Sequence, residues 1–265
     1  MATALNATSG GAVSAPKRAA LGFFAGVKAL FGGLGFVVTT PSAWPWASVP
    51  VFVASVLFFG VGGLTIYGGH ELAHRMLWDQ GDGTWTMVGI WALRVLFYVL
   101  GILLALVLSM TLAQPISGFA LERLARKQEI ALHGRTWPDQ PFVTSTFRSL
   151  RVSLAALVIG LPILGLLALV TFLAPPAGVV TIPLKFIVTG LLAVYDLVDY
   201  PLSLRGHGVR ARVQFIKDEW WACFGFGCAV AALLLIPGFG LFLLPFGVAG
   251  ATRLVVQADV RRERS

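Results

Sequence analysis

The sequence carries little charge for its length. Only 12% of its 265 residues are charged, while 57% are hydrophobic. A soluble domain has about a quarter of its residues charged. At a mean hydropathy of +0.83 the apolar surface exceeds what one soluble core of this size can bury. The composition therefore excludes a soluble globular protein and predicts an integral membrane protein.

Cysteine and histidine are also scarce, with two and four residues respectively. Cys223 and Cys228 lie five residues apart in an apolar run, which excludes a disulfide framework and does not match a CxxC redox pair. We expect them to behave as small buried hydrophobic residues. No cofactor is predicted.

The first residues of the chain lack the apolar core of a signal peptide. Met1 to Pro16 is small, polar and uncharged. We therefore expect three regions: a disordered cytoplasmic tail over residues 1–19, a membrane domain over 20–257, and a basic cytoplasmic tail over 258–265.

Apolar segments fill most of the remaining chain and predict an all-α membrane fold. Gly22–Thr40 is glycine-rich and contains Lys28, which favours a helix lying in the membrane interface. Ile116–Leu132 is predicted to be a charged helix, and Arg205–Glu219 a basic loop. About six apolar helical segments complete the domain: Ala47–Gly68, Thr86–Ala113, Val152–Ala174, Val179–Leu204, Trp220–Ile236 and Leu241–Gln257.

The last four apolar segments form two hairpins, broken by proline and glycine at residues 174–178 and 237–240. Backbone breaks at membrane depth are tolerated where protein or a water-filled cavity covers them. Hydropathy does not distinguish a full crossing from a half-penetrating hairpin, so both alternatives are open.

The distribution of positive charge predicts the orientation. Cytoplasmic loops are enriched in lysine and arginine. With both termini in the cytoplasm, all the lysines and arginines except Arg75, Arg94 and Lys185 lie on or near that side. The basic residues flank apolar segments, so the predicted partner of this charge is the bilayer and not nucleic acid.

Several short motifs resemble one family of membrane proteins. Pro115 to Glu122 is similar to the family's Pro-Phe-Asn-Gly-x-x-x-Glu, with the spacing from proline to glutamate kept. Gly26-Val27-Lys28 is similar to its Gly-Leu-Arg near the first helix. The other matching residues are Asp199-Tyr200-Pro201, Phe226-Gly227, Leu235-Ile236-Pro237, Pro245 and Val248-Ala249-Gly250-Ala251-Thr252.

On these motifs the chain resembles the CysZ-type sulfate permeases, a family that also includes the etoposide-induced membrane proteins. The resemblance covers about residues 20 to 257. It implies a fold of long spanning helices mixed with half-penetrating hairpins, and sulfate binding near Gly26, Val27 and Lys28. It also implies a bacterial inner membrane and homo-oligomers.

Cations at membrane depth are the candidates for contact with an anion. Lys28 and Arg94 are the predicted substrate-binding side chains, with interfacial snorkelling as the alternative for Lys28 and the favoured reading for Lys185. We predict that Glu122 pairs with Arg126 at i,i+4. For Asp196 and Asp199 two alternatives stay open, pairing with the basic 205–217 loop or a proton or cation site coupled to transport.

A competing motif is His70-Glu71-Leu72-Ala73-His74, which matches HExxH. On a helix this pattern places two imidazoles on one face for zinc and supplies Glu71 as a base. A catalytic zinc needs a third protein ligand, and His133 and His207 are predicted on the opposite side of the membrane.

The leading hypothesis is therefore a non-enzymatic permease for a small inorganic anion, with sulfate uptake for sulfur assimilation implied by the resemblance. The alternatives are a zinc-dependent membrane protease using His70, Glu71 and His74, and a membrane scaffold of the same family that transports nothing.

Overall fold

The computed structural model describes residues 20–77, 84–133, 142–236 and 239–264. All regular structure in these ranges is helical. The α-helices are α1 (Phe23–Thr39), α2 (Trp44–Leu77), α3 (Thr84–Ile116), α4 (Gly118–His133), α5 (Phe142–Leu173), α6 (Gly178–Leu204), α7 (Val209–Asp218), α8 (Trp220–Leu234) and α9 (Phe239–Arg264). The prediction of an all-α membrane fold is confirmed.

Four helical stretches in the described part are long and apolar enough to cross a bilayer: Pro41–Glu71, Met87–Ala113, Pro175–Leu204 and Phe242–Arg264. Shorter apolar helices occupy Phe23–Thr39, Val158–Leu173 and Trp220–Leu234. The short 3-10 turns Pro41–Ala43 and Pro175–Ala177 each begin at a proline, which cannot continue the preceding helix.

The buried core lies where α1, α8 and α9 pack together with the second half of α6. α4 packs on α9 at one side of this core. α2 and α3 form an antiparallel hairpin that packs mainly on itself, and most of its apolar side chains remain exposed. In a membrane protein such surfaces face lipid, because lipid chains are as apolar as the side chains themselves.

Two predicted boundaries are wrong. The predicted Arg205–Glu219 loop contains the helix α7, because Arg212 and Phe215, three residues apart, share a face that is buried against the core. Pro115 does not begin the charged helix: it lies in the last turn of α3, and α4 begins at Gly118. The tail predicted over 1–19 and the turn residue Pro237 lie outside the described residues. α9 continues without a break past residue 257.

Candidate functional site

Helix α1 is held against α8 and α9 by very close backbone contacts. A Cβ added to Gly33 would lie 2.1 Å from the amide nitrogen of Gly250 on α9. A Cβ added to Gly26 would lie 1.9 Å from the carbonyl oxygen of Ala222 on α8. Glycine at these positions lets the helix backbones approach, as in many membrane helix pairs. The predicted site residues Gly26 and Gly250 therefore sit at helix contacts.

Lys28 is exposed on the flank of α1, beside this packed face. Gly32 lies one turn further along the same flank, and the side chain of Arg253 from α9 lies across it. A Cβ added to Gly32 would be 2.8 Å from Cδ and Nε of Arg253 and 2.9 Å from its Cζ. The structure thus places a second cation on this flank of α1, one helical turn from Lys28.

Sequence reasoning missed Arg253. It lies within the predicted apolar segment Leu241–Gln257. The available signal was a single arginine inside an otherwise uncharged run from Phe239 to Gln257. Its contact with Gly32 joins residues more than two hundred positions apart, so no local pattern reveals it.

Arg94 does not share this location. Helices α2 and α3 are paired so that Gly69 lies against Phe97, and Gly101 against Thr65. One turn further, Arg94 lies level with the His70–His74 motif. Trp44, by contrast, packs beside α1, where its indole nitrogen donates to the carbonyl of Val37 (2.9 Å). At 1.5 Å per residue, α2 carries the motif about 40 Å from Trp44. Lys28 and Arg94 are therefore not parts of one binding site.

The HExxH motif lies at the distal end of α2, where His70 and Glu71 are exposed. The side chain of His74 lies outside the described residues. Among the side chains the structure describes, no three metal-ligating groups converge. No described third ligand therefore joins His70 and Glu71.

Buried ion pairs join α4, α6, α7 and α9. Arg212 on α7 pairs with Asp199, which also accepts a hydrogen bond from Ser203 Oγ (2.7 Å). Arg205 pairs with Glu129 (2.8 Å) and with Asp259. Pairing of Asp199 with the 205–217 segment is thus confirmed. The neighbouring motif residues Tyr200 and Pro201 are also buried.

Two further motif regions contribute to packing. Pro115 and Glu122 are both buried near the α3–α4 junction, where Arg123 lies over the rings of Phe119 (4.9 Å) and Trp46 (5.6 Å). Pro245 lines a cavity of about 580 Å³ between α1, α2 and α9. Its lining is apolar except for Ser48 and Ser55, so it offers an anion no compensating charge.

The predicted pairing of Glu122 with Arg126 on α4 stays a prediction.

Long apolar helices around a glycine-packed core, with ion pairs at one end, define a multi-pass α-helical membrane protein. Residues 29–245 match the family described as sulfate transporter CysZ/etoposide-induced protein 2.4. The chain belongs to this family, and the resemblance seen in its motifs is confirmed. The matched region begins one residue after Lys28 and ends at Pro245.

Individual relatives are distant. The chain is 27% identical over 157 residues to a Pseudomonas aeruginosa protein named sulfate transporter CysZ, a match that covers 57% of this chain and 61% of the relative. A Pseudomonas fluorescens protein of the same name is 26% identical over 230 residues, covering 82% and 87%. A third, from Pectobacterium atrosepticum, is 27% identical over 189 residues, covering 70% and 66%. The chain thus spans less than two thirds of the Pseudomonas aeruginosa relative.

Proposed function

We propose that this protein is a permease for a small inorganic anion, with sulfate as its substrate, in a bacterial inner membrane. The observation that carries the proposal is membership of a family whose matched relatives are named sulfate transporters. Uptake of sulfate would supply the assimilation of sulfur. Both termini are proposed to face the cytoplasm, as the distribution of lysine and arginine favours.

Within this proposal Lys28 contacts sulfate directly. Its ammonium group is exposed on α1, and no described carboxylate pairs with it. A cation free of internal pairing can compensate part of the charge of a dianion that leaves water. Gly26 and Val27 precede it on the same helix, and Gly26 allows α1 to approach α8 closely.

Arg94 acts at a separate place. It lies near the distal end of the α2–α3 hairpin, where its half-buried guanidinium adds positive charge to the opposite side of the protein. We propose that it attracts the anion and does not hold it together with Lys28. Losing it is therefore expected to lower the rate of uptake more than the affinity for sulfate.

The test is uptake of labelled sulfate into liposomes that contain the purified protein. Lys28→Gln is expected to lower uptake at least several-fold, while His70→Ala and the exposed control Lys217→Gln leave it unchanged. An unmodified protein that is folded, correctly oriented and yet takes up no sulfate would refute the proposal and favour a scaffold role. Stoichiometric bound zinc that is lost in His70→Ala would favour the metal alternative.

A further inference from the structure

We infer that Lys28 and Arg253 together form a site for a tetrahedral oxyanion on the flank between α1 and α9. The inference rests on the proposed function in naming sulfate as the anion. It goes beyond it in assigning the second cation, the glycine that makes room for it, and the helix that supplies it.

The first argument is position. Lys28 and Gly32 are four residues apart on α1 and so lie on one face, with about 5–6 Å between successive Cβ positions along it. The guanidinium carbon of Arg253 lies 2.9 Å from where a Gly32 Cβ would stand. The two cationic groups can therefore both reach an anion held above this flank.

The second argument is charge. The two arginines with the most buried ion pairs have carboxylate partners, Arg205 with Glu129 and Arg212 with Asp199. Within the described part of the chain neither Lys28 nor Arg253 has one. Two neighbouring positive charges without a carboxylate repel each other, and a bound dianion removes that repulsion.

The third argument is shape. Because Gly32 has no side chain, the outer part of the Arg253 side chain lies directly against α1, one turn from Lys28. A guanidinium presents paired N–H donors to two oxygens of a sulfate or phosphate group, while an ammonium binds as a point charge. The combination suits a tetrahedral oxyanion better than a halide, which has no second oxygen to accept.

The same chemistry could be supplied by free sulfate or by the phosphate of an anionic lipid. Two binding measurements distinguish these sources. The first is titration of labelled sulfate against the protein in a phosphate-free maltoside detergent. The second is retention of phosphatidylglycerol after extraction from vesicles of phosphatidylglycerol and phosphatidylcholine.

The decisive variants are Arg253→Gln and Gly32→Ala. The alanine methyl displaces only the flexible end of Arg253, so the fold is expected to survive, as a melting curve will show. Each variant is expected to weaken oxyanion binding roughly ten- to hundred-fold, the loss typical of a charged hydrogen bond. The matched controls are Arg261→Gln, exposed on the same helix, and Gly35→Ala, which meets nothing within 4 Å. Both should bind as the unmodified protein does.

Sulfate binding that falls in both variants and in Lys28→Gln, and is unchanged in the controls, supports a site for the free anion. Phosphatidylglycerol retention with the same dependence, without sulfate binding, supports the site and assigns it to a lipid headgroup. Unchanged binding in Arg253→Gln and Gly32→Ala, or no binding of either ligand, overturns the inference. Specific binding without uptake in liposomes would refute the permease and leave this site standing. Uptake that needs Lys28 but not Arg253 would support the permease and refute this site.

Discussion

At the scale of single residues, two kinds of contact hold the core together. Glycines such as Gly33 and Gly250 allow helix backbones to touch, and buried ion pairs such as Arg212 with Asp199 join helix ends. Neither kind of contact can rearrange to accommodate a substitution. A backbone contact cannot give way as a side chain can, and a buried charge that loses its partner cannot reach water.

Adding a methyl group to Gly33 is expected to destabilise the protein. Its Cβ would lie 2.1 Å from the Gly250 nitrogen, so α1 and α9 must separate. The measurement is the apparent melting temperature in detergent, which should fall in Gly33→Ala.

The control on the same helix is Gly35→Ala, whose Cβ meets nothing within 4 Å. There the substitution should be neutral or should stabilise by about 0.5–1 kcal/mol, since alanine loses less conformational entropy in a helix. Equal losses in both variants would contradict the importance of the α1–α9 approach.

Breaking the Arg212–Asp199 pair is expected to cost about 3–5 kcal/mol, because the remaining charge is left buried. Arg212 is 2% exposed and Asp199 3%. Arg212→Ala should therefore shift unfolding by denaturant to lower concentration. Arg210→Ala, exposed on the same helix, should not. If Arg212→Ala unfolds at the same denaturant concentration as the unmodified protein, the pair makes no net contribution to the free energy of unfolding.

At the scale of elements, the two hairpins differ in reach. α8 has 15 residues and α6 has 27. At 1.5 Å per residue these are about 22 Å and 40 Å, against a hydrocarbon core of about 30 Å. Trp220 and Trp221 are exposed at the start of α8, where aromatic rings favour the headgroup level. We therefore predict that α8, anchored there, ends inside the bilayer, whereas α6 is long enough to cross it.

Cysteine accessibility tests this difference. In a background without Cys223 and Cys228, Pro176→Cys at the tip of α5–α6 should react with a membrane-impermeant maleimide. Leu235→Cys at the end of α8 should react from neither side. Rapid labelling of Leu235→Cys would mean that the α8–α9 hairpin crosses fully or lines a water-filled path.

At the scale of the whole molecule, the ion-paired ends of α4, α6, α7 and α9 gather on one side of the core. The turn Pro175–Ala177 lies at the opposite end of α6. The orientation predicted from positive charge places the ion-paired end in the cytoplasm. The Lys28–Arg253 flank begins nearer this end, while Arg94 lies toward the opposite one. An anion path between them would have to run the length of the protein.

The orientation has its own test in the same cysteine-free background. His207→Cys, in the exposed turn between α6 and α7, should be labelled from the cytoplasmic side of oriented vesicles. Pro176→Cys should be labelled from the opposite side. Labelling of both from one side would contradict the predicted topology.

Much of the fold could be predicted because lipid-facing helices need long apolar runs, and these are visible in the chain as it stands. The helix α7 was missed because its buried face includes Arg212, which a hydropathy pattern assigns to solvent. The candidate site was only partly predicted. Lys28 stood out as a cation in an apolar segment, but its grouping with Arg94 rested on residue type and not on position.

The sequence by itself determined that this protein lies in a lipid bilayer, that it is helical, and which family it belongs to. Hydropathy, charge placement and short motifs are local properties, so all three can be read without the tertiary structure. Only the tertiary structure decided which cations share a surface. It placed Arg94 near the distal end of the α2–α3 hairpin, away from α1, and placed Arg253 against Gly32. Such pairings depend on how closely glycine lets distant helices approach, and that distance is set when the helices pack.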